Sequence, residues 1–423
     1  MPNLRGFANL THALANPNYG IYTAGNAVSL IGTWMQRLAV GWLTWKLTES
    51  GAWLGAMSFA DLAPTVLIGP LAGAAADRLD RLTVTKISQA LAMLQSILLF
   101  ALVAVDAITI EMLLGLTLFL GIVTAFNQPA RLALIPSLVR REDLSAAVAI
   151  NSVVFNSARF IGPAVAGLLI KAGGIPLVFA GNALSFIAFL AALYTVRLAP
   201  AAPVASQRRS VWRDIGEGMT YAARHPGIGP LLLMLAVASI CVRPFVELLP
   251  GFASEVFHRD AGGLAILTSS IGVGAVVGGL WLGQLQDGRR LVTIALGSSL
   301  VVTVLMAIFV ATDWFWLAIV CMVLAGTGLV ASGVATQTLL QLSVDQAMRG
   351  RVLSLYGLIF RGGPAIGAVI MGTASESVGL RWPLAAGALI AAGGWWLTWR
   401  RRHDIEAALQ PPEATPILQP GSA

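Results

Sequence analysis

Long apolar stretches recur along the whole chain, and no other feature limits the fold as strongly. Their approximate extents are 19–45, 52–76, 82–105, 108–133, 145–170, 175–196, 227–254, 263–285, 291–311, 314–342, 351–374 and 382–399. Each is long enough to cross the roughly 30 Å hydrocarbon layer of a bilayer as a helix, so twelve spans are expected. The runs are continuous instead of alternating, which favours helices over a barrel. Internal Gly and Pro are compatible with this, because neighbouring helices can satisfy the backbone.

Only 11% of residues are charged and 57% are hydrophobic. Soluble proteins carry about 25% charged residues, so a soluble enzyme, a nucleic-acid binder and a disordered scaffold are all excluded. The net charge of +7 therefore bears on topology. With the amino terminus inside, the inner loops collect Arg78, Arg81, Lys86, Arg140, Arg141, Arg208, Arg209, Arg289, Arg290 and Arg400 to Arg402 among others. The outer loops hold Lys46, Lys171, Arg259 and Arg381. This asymmetry predicts a multi-pass membrane protein with both termini on the cytoplasmic side. Cys241 and Cys321 lie far apart in apolar runs and the four histidines lack ligand spacing, so no disulfide, metal or cofactor is expected. The amino terminus has no cleavable signal pattern, and the first span is expected to be retained.

The longest polar interruption divides the spans six and six. The expected organisation is a cytoplasmic segment 1–18, a first bundle 19–196, a linker 197–226, a second bundle 227–399 and a disordered cytoplasmic tail 400–423. Val211, Ile215, Met219 and Ala222 recur at helical spacing within the linker, predicting a short amphipathic helix on the inner surface. Two markers repeat in order. Gly73, Asp77, Arg78 and Arg81 after the second span are echoed by Gly283, Asp287, Arg289 and Arg290 after the eighth. Gly162-Pro163 in the fifth span is echoed by Gly363-Pro364 in the eleventh.

These residues make the chain resemble the major facilitator superfamily. The Gly73-x-x-x-Asp77-Arg78-x-x-Arg81 loop is similar to its signature, and Gly162-Pro163 resembles a motif of its antiporters. The segments SLIGTWMQRLAVGW (29–42), NQPARLALIPSLVRREDLSAAVAIN (127–151), LLPGFA (248–253) and MRGRVLSLY (348–356) resemble the transmembrane secretion effector branch, which includes the enterobactin exporter. The resemblance implies an all-α membrane protein with twelve helices in two parallel six-helix halves, working by alternating access. It also implies that Gly73, Asp77, Arg78, Arg81 and Asp287 form a conformational latch, with Glu142 and Asp143 as candidate partners for the arginines. Gly162, Pro163, Gly363 and Pro364 would set helix bends or close packing. One departure is that the fourth span, EMLLGLTLFLGIVTAF (111–126), lacks the arginine that drug and proton antiporters carry there.

Six ionisable residues lie inside spans: Arg37, Asp61, Arg159, Arg243, Glu247 and Arg361. Such groups are costly in a bilayer and are usually functional. Arg37 and Asp61 have similar depth, and Arg243 and Glu247 are four apart, so each pair is expected to bond. Those pairs read equally as locks between helices. Arg159 and Arg361 are left without an acid. With Gln36 and Asn156 on the same polar stripes, these residues form the expected substrate cavity. Four arginines against two carboxylates favour an anionic substrate. Asp61 is the candidate proton-coupling group.

The expected function is export of a small amphipathic, anionic compound such as a siderophore, drug or metabolite by proton antiport. Expected partners are that substrate, protons and lipid, with no nucleic acid, and the chain is expected to be a monomer. No nucleotide-binding loop or catalytic motif is present, so no enzyme activity is expected. Uptake of a metabolite or lipid by symport or facilitated diffusion remains an alternative, as does a membrane sensor or assembly partner without transport.

Overall fold

The computed structural model describes residues 11–69, 72–73, 79–197, 211–284 and 290–409, which contain helices and no strand. The helices are α1 (Pro17–Thr48), α2 (Gly51–Leu67), α3 (Arg81–Ala104), α4 (Ile110–Leu138), α5 (Leu144–Thr195), α6 (Val211–Arg224), α7 (Ile228–Cys241) and α8 (Phe245–Gly251). They continue as α9 (Ala261–Gly283), α10 (Leu291–Ala311), α11 (Phe315–Ser343), α12 (Gln346–Val378), α13 (Arg381–Arg400) and α14 (Arg402–Leu409). Among the described residues, eight helical segments are long and apolar enough to cross a membrane.

The longest of these segments, Arg141–Thr195, cannot be a single pass. Its length would be about 80 Å as one straight helix, far more than a bilayer core. Gly173 and Gly174 divide it into two arms, and Gly174 has φ 79°, a conformation open to glycine at little cost. A second break lies between α7 and α8. Pro244 has no N–H to donate, and the Arg243 N–H reaches back five residues to the Ala238 carbonyl at 3.0 Å. The backbone resumes as α8 and then as the π-helical turn Phe252–Val256. Helix α12 makes room for this break: a Cβ on Gly367 would lie 2.1 Å from the Ile240 carbonyl oxygen.

The helices before α6 pack on one another, as do those after it. The two series meet where α2 lies on α12, α9 on α5, and α8 on α1. Many of these contacts lie toward the end of the bundle opposite the basic loops. There Gly51 faces Gly372, where an added Cβ would be 2.2 Å from the Gly51 carbonyl oxygen, and Gly55 faces the Ala368 carbonyl. The Ser50 hydroxyl and Ala52 N–H donate to Glu376 Oε1 at 2.8 and 3.0 Å. A carboxylate at the start of α2 meets the positive end of that helix, so the contact is favourable in charge as well as shape.

The expected disorder of 400–423 is corrected for its first part. Residues 402–409 form α14, because Ile405 and Leu409 share an apolar face that is buried against its neighbours. The Ser343 hydroxyl donates to the Leu409 carbonyl at 3.0 Å. Residues 410–423 lie outside the described part.

Candidate functional site

The charges at membrane depth gather where the two series face each other. Arg37 on α1 donates to Glu247 Oε1 on α8 at 2.8 Å and lies 3.5 Å from Asp61 Oδ2 on α2. A single guanidinium thus holds a carboxylate from each series. At about 1.5 Å per residue, these three groups are roughly 14–17 Å from the helix ends opposite the basic loops. Arg159 and Arg243 are about 20 Å from the same ends, and Arg361 about 25 Å, so the unpaired cations lie closer to the basic end.

Aromatic rings separate the cations. The Trp34 ring lies 5.5 Å from the Arg37 guanidinium and 5.6 Å from that of Arg159, within cation–π range of both. Arg243 covers the face of Phe360 at 3.8 Å, and Phe360 stacks on Tyr356 with centroids 5.5 Å apart. The Tyr356 hydroxyl donates to the Gly333 carbonyl at 3.1 Å, which fixes that stack. Arg361 on α12 donates to the Gln128 side chain on α4, a further contact across the two series. Among the described residues, Arg159, Arg243 and Arg361 have no carboxylate partner. With Arg37, Asp61 and Glu247 included, four cations face two anions.

Several sequence expectations change here. The Arg37–Asp61 proximity is present, but Arg243 and Glu247 do not pair. Four-residue spacing joins side chains only on an unbroken helix, and the Pro244 break turns Glu247 toward Arg37. The proline directly after Arg243 was the available signal.

Gln36 also leaves the expected cavity. It is buried, donates to Gln95 Oε1 at 2.9 Å and accepts from Asn182 Nδ2 at 2.8 Å. Ser29 extends this polar ladder to Gln89 at 3.2 Å. These bonds tie α1 to α3 and to the second arm of α5, because Gln36 faces one side of α1 while Arg37, about 100° further round, faces the other. Asn156 donates to its own helix at the Ser152 carbonyl, 2.8 Å away. Trp34, Gln128, Phe360 and Glu376 were not expected from sequence. Only Gln128 and Trp34 carried a hint, from the polar motifs around them.

Of the expected latch, Asp77, Arg78 and Asp287 lie outside the described residues. Gly73 is described, with open space where a Cβ would stand. Arg81 donates to the Ala133 carbonyl at 3.1 Å and not to Glu142 or Asp143. Those acids are engaged by Arg140 at 3.5 Å and by His12 at 2.9 Å. Helices α5 and α12 run through Pro163 and Pro364 as continuous helix. The adjacent glycines permit close approach: a Cβ on Gly162 would be 2.5 Å from Trp34 Cβ, and one on Gly363 2.5 Å from Ser239 Cβ.

An all-helical bundle whose two series enclose charges at membrane depth has the architecture of a major facilitator transporter. The structure is similar to a bacterial homologue of the human lysosomal transporter Spinster in an inward-facing, unoccupied conformation, with a TM-score of 0.68 and 15% identity over 96% of this chain and 99% of that one. It is also similar to a bacterial homologue of the iron transporter ferroportin in an inward-facing state, with a TM-score of 0.68 and 16% identity over 92% of this chain and 98% of that one. The sequence profile of the transmembrane secretion effector family matches residues 11–416, and the chain belongs to that family of the major facilitator superfamily. Similar proteins include macrolide efflux protein A of Streptococcus pyogenes, 25% identical over 87% of this chain and 92% of the relative. The enterobactin exporter of Shigella boydii serotype 4 is 26% identical over 86% of each chain. The staphyloferrin A transporter of Staphylococcus aureus is 22% identical over 83% of this chain and 87% of the relative.

Proposed function

We propose that the protein exports a small amphipathic anion across a bacterial inner membrane by alternating access, with both termini in the cytoplasm. Twelve passes in two six-helix halves follow when the two arms of α5 are counted separately, α7 and α8 form one pass, and α1, α2 and α13 are added. The observation that carries the reading is that Arg159 and Arg243, each over an aromatic ring, and Arg361, held by Gln128 across the two series, all lack carboxylate partners among the described residues. Guanidinium forks match carboxylate or phenolate groups, and the rings suit the apolar part of such a molecule. The basic end is the cytoplasmic one, and the contact of α2 with α12 closes the outer side. The names of the relatives, a macrolide efflux protein and two siderophore transporters, support export of a bulky natural product.

Proton antiport through Asp61 is the proposed energy source, with Glu247 as a second carboxylate on the same arginine. Neutralising either acid makes the cluster more positive and tightens an anion. Proton and substrate therefore exchange only if they occupy the site in opposite arrangements of the halves; joint occupancy would give symport.

The test is a screen of amphipathic carboxylates and phenolates for thermal stabilisation of purified protein, repeated on Arg159→Ala and Arg361→Ala. A ligand that stabilises the wild type and loses its shift in both variants supports the reading. Full shifts in both variants would remove the anion site. Loaded right-side-out vesicles then give direction: accumulation driven by an imposed proton gradient would exclude export.

A further inference from the structure

Beyond the candidate transport site, the basic end carries a groove of about 870 Å³. One wall is α6, with Arg213, Glu217, Thr220 and Arg224 three or four residues apart; His225 and Met348 lie beside it. Helix α6 is held in place by α12 and its lead-in. Arg351 donates to Asp214 at 2.9 Å and lies 2.9 Å from Glu217, while the Tyr221 hydroxyl donates to Asp345 at 3.0 Å. Asp214 and Asp345 are thereby taken up on the α12 side, while Glu217, itself in the groove, is shared by Arg213 and Arg351.

The two groove cations are open to solvent. The Arg213 side chain is 81% exposed despite its contact with Glu217. Arg224 is exposed and carries no ion pair among the described residues. The His225 ring accepts from the Gly227 and Ile228 N–H groups at Nδ1, 3.1 and 3.3 Å away. Burial holds the His225 pKa below the ordinary histidine value, so the neutral ring carries its proton on Nε2, a donor. Two arginines about 16 Å apart thus bracket a groove with an N–H donor near one end.

Position selects the occupant. His225 stands three residues before α7, and Met348 is in the first turn of α12, so the groove lies level with the starts of two apolar segments long enough to cross the bilayer. Met219, 51% exposed on the same amphipathic helix, offers an apolar contact. We propose that this groove binds the headgroup of an acidic phospholipid, with its phosphate on Arg224 and His225 and Arg213 at the far end. Helix α6 then anchors the linker between the halves to the inner leaflet.

Full-length protein reconstituted in nanodiscs of equal parts phosphatidylcholine and phosphatidylglycerol, then released and analysed by native mass spectrometry, tests this. Each arginine facing an anionic surface is worth roughly fivefold in affinity, so Arg213→Gln with Arg224→Gln lowers phosphatidylglycerol retention about thirtyfold. The Lys double variant keeps most of the retention, and Arg141→Gln, which removes one cation from another loop of the basic end, costs no more than about fivefold. Equal retention in wild type and Gln double variant, with matching melting temperatures, would overturn the proposal. Release of the lipid by millimolar inorganic phosphate would also overturn it, in favour of a soluble phosphate ligand. Because the readout is binding, it is independent of whether the transport reading holds.

Discussion

Replacing Gly372 with Ala tests whether the contact of α2 with α12 is what closes the bundle opposite the basic loops. A Cβ at this position would stand 2.2 Å from the Gly51 carbonyl oxygen, whereas ordinary contact begins near 3.4 Å. The methyl meets backbone, so rotamer changes give no relief and the helices must separate by about 1 Å. Overpacking of this kind costs about 1–3 kcal/mol. That cost falls on the closed arrangement, because the contact joins elements of different series and is lost when they part. A difference of about 1–3 kcal/mol lowers the ratio of closed to open molecules roughly 5- to 150-fold. Spin labels at Leu47→Cys and Val378→Cys, both exposed at that end, report the change in a background with Cys241 and Cys321 replaced by Ser. Pulsed electron resonance should show one short distance in the parent and a dominant longer one in Gly372→Ala. An unchanged distance distribution in a variant that melts at the parent temperature would refute the reasoning. A lowered melting temperature without a longer distance would reduce the glycine contact to ordinary packing.

Two further outcomes are expected. Gln36→Leu leaves Gln95 and Asn182 each short of a buried partner and destabilises the first series by about 2 kcal/mol, read as a lower melting temperature with unchanged ligand affinity; a loss of affinity at unchanged stability would return Gln36 to the cavity. Asp80 caps α3 by accepting from the Thr83 N–H at 2.8 Å and from its hydroxyl at 2.6 Å, and these bonds hold its carboxyl below the ordinary value. Its contribution is complete above the ordinary carboxylate pKa and fades as pH falls through the lowered one. Asp80→Ala should therefore cost about 1 kcal/mol near neutrality and nothing in acid, measured by melting at several pH values.

Much of the transporter was legible in residue order. The bilayer imposes a minimum apolar length, and that requirement is one-dimensional, so spans and their polar interruptions could be read directly. The cost of a charge in hydrocarbon is likewise local, and it singled out Arg37, Asp61, Arg159, Arg243, Glu247 and Arg361 before any contact was known. The signature loops and branch motifs named the family.

Which partner each charge takes was decided only by the tertiary structure. Arg37 sits between Asp61 and Glu247 because the chain breaks at Pro244 and because α8 lies against α1, a relation between residues 210 positions apart. Gln36 and Arg37 are neighbours in the chain with opposite surroundings, since one step along a helix turns the side chain by about 100° and periodicity alone does not say which side meets a neighbour. The seal of Gly51 on Gly372 follows the same rule: each glycine is unremarked in sequence, and only the approach of two backbones makes the missing side chain matter.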